Sequence, residues 1–119
     1  MIKHPRKGKP APRYLVMRHG LIGCVEFAQD SHSLKKKGFH ISAILSVIKG
    51  ATTQVFAKTL AGSTEDKQDL CLSLKFKERT IDIECHSPQA RTDLFECLNW
   101  ISETRINVNS RSALEVESV

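Results

Sequence analysis

Apolar and polar positions alternate in short runs along the first two thirds of the chain, then switch to a helical spacing. RYLVMR (13–18) alternates as a strand does, His19-Gly20 marks a tight turn, and LIGCVEF (21–27) supplies a second strand, so the pattern predicts a hairpin. A polar loop, AQDSHSLKKKG, follows. FHISAILSVIKG (39–50) reads as a strand with a bulge, a short helix being the competing reading, and TTQVFAKT (52–59) as another strand. AGSTEDKQ is an exposed loop. In LCLSLKF (70–76) the residues Leu70, Leu72, Leu74 and Phe76 point one way, and Cys71, Ser73 and Lys75 the other, the period of a half-buried strand. TIDIEC repeats it, with Ile81, Ile83 and Cys85 facing in.

The period then changes. Ser87 is placed to cap a helix and Pro88 to open it. Leu94, Leu98 and Ile101 recur at i, i+4, i+7, which predicts one amphipathic helix of about four turns. These three side chains are expected against Leu72, Leu74, Ile81 and Ile83. Residues 107–119 show no sustained period and are expected as a loose tail after a single domain spanning 1–106. Antiparallel strands with one C-terminal helix imply a mainly β fold: a curved antiparallel sheet or barrel of about seven strands, closed by the amphipathic helix.

At 119 residues the chain is long enough for one core without staples. No apolar run approaches the ~20 residues of a membrane span. Four cysteines, Cys24, Cys71, Cys85 and Cys97, lie inside apolar segments without CxxC spacing, which suits reduced thiols in a cytoplasmic protein.

Charge sharpens the picture. The net charge is +5, yet residues 1–58 carry +9 and residues 59–119 carry −4. Such asymmetry orients a protein in the field of an anionic partner. The opening stretch, MIKHPRKGKPAPRYLV, packs Lys3, Arg6, Lys7, Lys9 and Arg13 around three prolines. Further clusters are Lys35, Lys36 and Lys37, and Lys75, Lys77 and Arg79.

Catalytic and metal chemistry find little support. His4, His19, His32, His40 and His86 show no ligand spacing and suit turn or surface roles, Ser87-Pro88 reads as a cap, and no GxGxxG is present. The expectation is a protein without enzymatic activity, metal or cofactor. Nucleic acid is a third-ranked partner, because few aromatics lie among the basic clusters and the helix carries Asp93, Glu96 and Glu103.

These residues resemble the pleckstrin homology (PH) domain family, its phospholipase C-like branch in particular. PRYLVM and GLIGCVEF are similar to the family's second and third strands. ISAILSVIKGATTQVFAK resembles the passage from its fourth strand through a Lys-Gly turn. LCLSLKFKERTIDIECHSPQARTDLFECLNWI resembles the last two strands and the closing helix. The resemblance covers residues 3–106 and departs from the family twice. Leu94 stands where the family's helix usually carries a Trp. Lipid-binding members have a Lys on the first strand, then a basic residue, one spacer and an Arg; here Lys3 and Arg13 fill the outer places, but Ala11 stands between. The resemblance implies a rim on which MIKH forms the first strand, PRKGKPAP a loop, and the three basic clusters converge. It further implies a peripheral membrane protein, held by weak attraction of anionic lipids to that rim. The alternative is a protein–protein interaction scaffold with a degenerate phosphoinositide pocket, membrane-anchored by other means. Divergent PH-like proteins of the apicomplexan inner membrane complex resemble that second pattern.

Overall fold

The computed structural model describes residues 1–63 and 66–118, with side chains along the last helix described as far as Glu103. Residues 107–118, expected as a loose tail after a helix of about four turns, continue the backbone of that helix, and their side chains lie outside those described. Among the described residues, eight strands make two antiparallel sheets. The larger is ordered β2(Ala11–Pro12), β1(Ile2–His4), β8(Thr80–Glu84), β7(Cys71–Lys75), β6(Ser46–Lys49); the smaller is β3(Tyr14–Arg18), β4(Leu21–Val25), β5(Phe39–His40). Only Arg13 separates β2 from β3, and its backbone N–H donates to the carbonyl of Met1 at 3.0 Å. One bent stretch of chain therefore carries the ladder from one sheet to the other. The outermost strands, β5 and β6, are not paired with each other, so the sheets curl around a core without forming a closed barrel.

Local chemistry explains the hairpin. His19 and Gly20 both adopt positive φ, 53° and 76°, as a two-residue turn matched to strand twist requires, and Arg18 pairs with Leu21. The helix α3(Pro88–Ser118) starts where Ser87 predicts: its Oγ accepts from the Ala90 N–H at 3.0 Å.

The core lies between the larger sheet and α3. Leu72, Leu74, Phe76, Ile81, Ile83 and Cys85 meet Ile22, Ile44 and Leu98. Leu98 is fully buried, while Leu94 and Phe95 are half-buried at the edge of the cluster. Ile101 departs from expectation: it is half-buried and lies outside that cluster, one turn beyond Leu98.

Residues 52–59 correct the strand reading. They form a short helix, α2(Gln54–Thr59), because Thr53 caps it, accepting from the Phe56 N–H at 3.2 Å. Phe56 is wholly buried, its ring 4.9 Å from that of His4. A cap and one buried aromatic outweigh a weak β preference. Residues 28–38 are likewise not a plain loop but a 3-10 segment, Ala28–Ser33, running into α1(Leu34–Lys37), anchored by buried Leu34. Residues 39–50 form neither one bulged strand nor a helix; a 3-10 turn at Ile41–Ala43, followed by buried Ile44, divides β5 from β6.

The half-buried reading of β7 and β8 is also corrected. Their second face is covered too, leaving Cys71, Ser73, Asp82 and Glu84 buried. Asp82 accepts from the hydroxyls of Thr53, Ser73 and Thr80 at 2.8, 2.7 and 3.0 Å. Glu84 meets His4 Nε2 at 2.9 Å and Lys67 Nζ at 3.3 Å. His4 is thus a buried link between β1, β8 and α2, its Nδ1 reaching Thr59 Oγ1 at 2.7 Å, and not a surface or turn residue. Polar groups this deep persist only with partners, and these have them.

Candidate functional site

Three adjoining cavities gather most of the basic residues singled out above. The first, about 450 Å³, is lined by Lys3 of β1, Lys36 and Lys37 of α1, and Arg79 from the turn between β7 and β8. The second, about 90 Å³, is lined by Lys3, Lys9 and Arg13 together with Ala11. The third, about 440 Å³ and more open, takes Arg6, Lys75, Lys77 and Arg79 beside α2. Lys3 belongs to the first two and Arg79 to the first and third.

The placement follows from pairing. Lys3 sits opposite Ala11 on one side and Ile83 on the other, which sets the first strand between the basic loop and β8. The loop over residues 5–10 turns at Gly8, whose φ of 91° suits glycine, and Lys58 Nζ holds it through the Arg6 carbonyl at 3.2 Å. α1 lies close to β4 because position 23 is glycine.

Arg79 is the most constrained of these cations. Its guanidinium lies 5.6 Å from the centre of the Phe39 ring, which itself stacks on Phe76 at 4.3 Å. Its buried Nε–H has no acceptor among the described residues. A buried unpartnered donor is unusual, and here it belongs to a residue that lines the first cavity. The local field registers on Cys24, in the same wall: burial pushes its thiol pKa up, against the opposing pull of Lys3, Arg13 and Arg79.

Two expected rim residues stand apart. Lys7 is exposed on the loop and lines none of the three cavities, and Lys35 points its part of α1 to a different cavity with Arg18 and His32. Gly23, Cys24 and Phe39 were missed by sequence reasoning; apolar strand patterning hides residues that line a site by their backbone or ring. Among the described residues, no helix is long and apolar enough to cross a membrane. No family model and no curated protein matches this sequence.

Proposed function

We propose that this chain is a PH-like, non-catalytic module acting at a membrane surface as a targeting or scaffolding domain, with no cofactor, whose basic rim attracts anionic lipid headgroups weakly and diffusely. Counting β2 and β3 as one bent strand leaves seven strands and a C-terminal helix, in keeping with that family. The observation that carries the functional reading is the sharing of Lys3 and Arg79 between neighbouring cavities. Cations from β1, the following loop, α1 and the β7–β8 turn act on one surface through them. Each Lys or Arg held near an anionic membrane adds about 1 kcal/mol.

Ala11 argues for diffuse attraction over a stereospecific grip. It puts a methyl group in the wall of the second cavity, beside Lys3, Lys9 and Arg13. The same observation favours a second reading, a scaffold that binds an acidic protein through this surface while other means hold it at the membrane.

Vesicle sedimentation separates the two. Vesicles of phosphatidylcholine alone, with phosphatidylserine, or with a phosphoinositide should pull the protein down in order of their negative charge at 0.1 M salt. The effect should vanish at 1 M, where the Debye length falls from about 10 Å to about 3 Å. Paired charge reversal, Lys36→Glu with Lys37→Glu, should abolish the low-salt binding and leave the melting curve unmoved, since both side chains are exposed. Binding to one phosphoinositide that survives 1 M salt would sink the diffuse reading. No sedimentation at low salt would leave the scaffold in front.

A further inference from the structure

A fourth cavity, of about 370 Å³, opens beside the β3–β4 turn and differs in character from the basic rim. Arg18 and His19 come to it from the end of β3 and the turn, Leu21 from β4, His32 from the 3-10 segment, and Leu34 and Lys35 from α1. The wall is mainly carbon, with Leu34 buried and Leu21 half-buried. Among the described residues, every ionisable side chain in it is Arg, Lys or His, and no carboxylate lines it. The Arg18 side chain donates from Nη1 to Ser31 Oγ at 3.1 Å and makes no other hydrogen bond to the described residues. One contact thus orients the guanidinium and leaves its remaining N–H groups free for a ligand.

We infer that this cavity binds a small anionic amphiphile: an apolar body seated on Leu21 and Leu34, with a carboxylate-type head taken by Arg18 and supported by Lys35. The volume falls within the ~300–1,000 Å³ typical of small-molecule sites, and a wall whose exposed surface is mainly carbon, with a few polar groups, is their usual composition. A guanidinium offers the forked donors that a carboxylate accepts in pairs. A bare anion gains nothing from the leucines, and an uncharged chain gains nothing from Arg18, so both parts of the ligand are required. The site does not rest on the membrane reading, since Lys35 is the only rim cation it takes.

The test uses the full chain with decanoate below its micelle-forming concentration, compared with 1-decanol and with inorganic phosphate. Calorimetry reads affinity, and amide chemical shifts locate the site. Decanoate should bind saturably, with shifts centred on Leu21, His32 and Lys35, while decanol and phosphate leave them nearly still. Arg18→Gln should weaken decanoate about tenfold, the scale of one charge-assisted hydrogen bond, and Lys37→Gln should not. Arg18 is exposed, so the variant keeps its fold, which its melting curve checks. The inference is overturned if decanoate fails to saturate, if Arg18→Gln binds it equally well, if phosphate or decanol binds as tightly, or if the shifts centre on Lys3 and Arg79. Loss of anionic-vesicle binding in Arg18→Gln without saturable decanoate binding would reassign the cavity to the membrane surface and overturn it too.

Discussion

A methyl group on Gly23 would lie 2.9 Å from Cδ2 of Leu34 and 3.3 Å from the Cα of Gly38. Leu34 is fully buried, so its Cδ2 can shift only toward the cavity it lines beside the β3–β4 turn, and Gly38 is backbone. The bare Cα of a strand residue is what lets α1 settle on β4 and bring Lys36 and Lys37 to the same cavity as Lys3 and Arg79. Gly23→Ala should therefore cost about 1–3 kcal/mol, as overpacking does. It should also weaken acidic-vesicle binding by displacing α1, without removing any charge. Denaturant titration reads the first effect and low-salt sedimentation the second; a variant unchanged in both would mean that α1 does not depend on this contact.

Deleting residues 1–10 tests whether the basic opening is a strand or an appendage. β1 pairs with β8 through Ile2↔Glu84, Lys3↔Ile83 and His4↔Asp82. Removing it bares the β8 edge and takes His4 from Glu84, so the shortened chain should lose its cooperative melt. His4→Ala alone should cost at least about 2 kcal/mol, since it leaves buried Glu84 with only Lys67 and empties the space beside Phe56. A shortened chain that melts like the full one would show β1 to be dispensable.

The helix contacts divide by burial. Leu98→Ala should cost about 2–5 kcal/mol, because Leu98 sits in the centre of the core. Ile101→Ala, at a half-buried position outside that cluster, should cost about 1 kcal/mol. Equal losses from the two substitutions would contradict the packing described here.

Cys71 gives a pH dependence with a definite sign. Burial, and then the charge of Glu84, push its thiol up to about 12 from an ordinary 9.0. The unfolded chain gives up this proton near pH 9 while the folded chain holds it, so the folded state binds more protons across that interval. Stability from this group is complete below pH 9 and falls as pH rises from 9 toward 12, at about 1.4 kcal/mol per unit. Cys71→Ala lacks the group. The stability of wild type relative to that variant should hold constant from pH 7 to 9 and then decline. Denaturant titrations of both at several pH values check this, and a constant difference up to pH 11 would refute it.

Much of the fold is legible along the chain. The period of two over residues 70–76 and 80–85, the His19-Gly20 turn, and Ser87-Pro88 before a helical stripe each depend on residues within a few positions of one another, though Leu70 itself ends a 3-10 turn, Gln68–Leu70, ahead of β7. β4, β7, β8 and the start of α3 stand where those signals put them. Local sterics and capping determine such features before any distant contact forms.

Elsewhere the deciding contact lies far away in sequence, and local pattern misleads. Residues 52–59 are rich enough in Thr and Val for a strand, yet Thr53 is held by Asp82, twenty-nine positions on, and Phe56 by the ring of His4. Alternation in β7 and β8 identifies the apolar face correctly but cannot say that Thr53, His4 and Lys67 will meet the polar groups of the other face. His4 looks like a surface histidine until β1 pairs beside β8 and brings it to Glu84, eighty positions away. The basic clusters were visible as clusters. Which lysine joins which cavity was not, because neighbouring Lys35 and Lys36 leave the one turn of α1 on different sides. Composition thus determined that a positive surface would exist. Its division into a broad rim at Lys3 and Arg79 and a separate apolar cavity at Arg18 was decided by strand pairing and by the close approach that Gly23 permits, contacts between segments that no local period encodes.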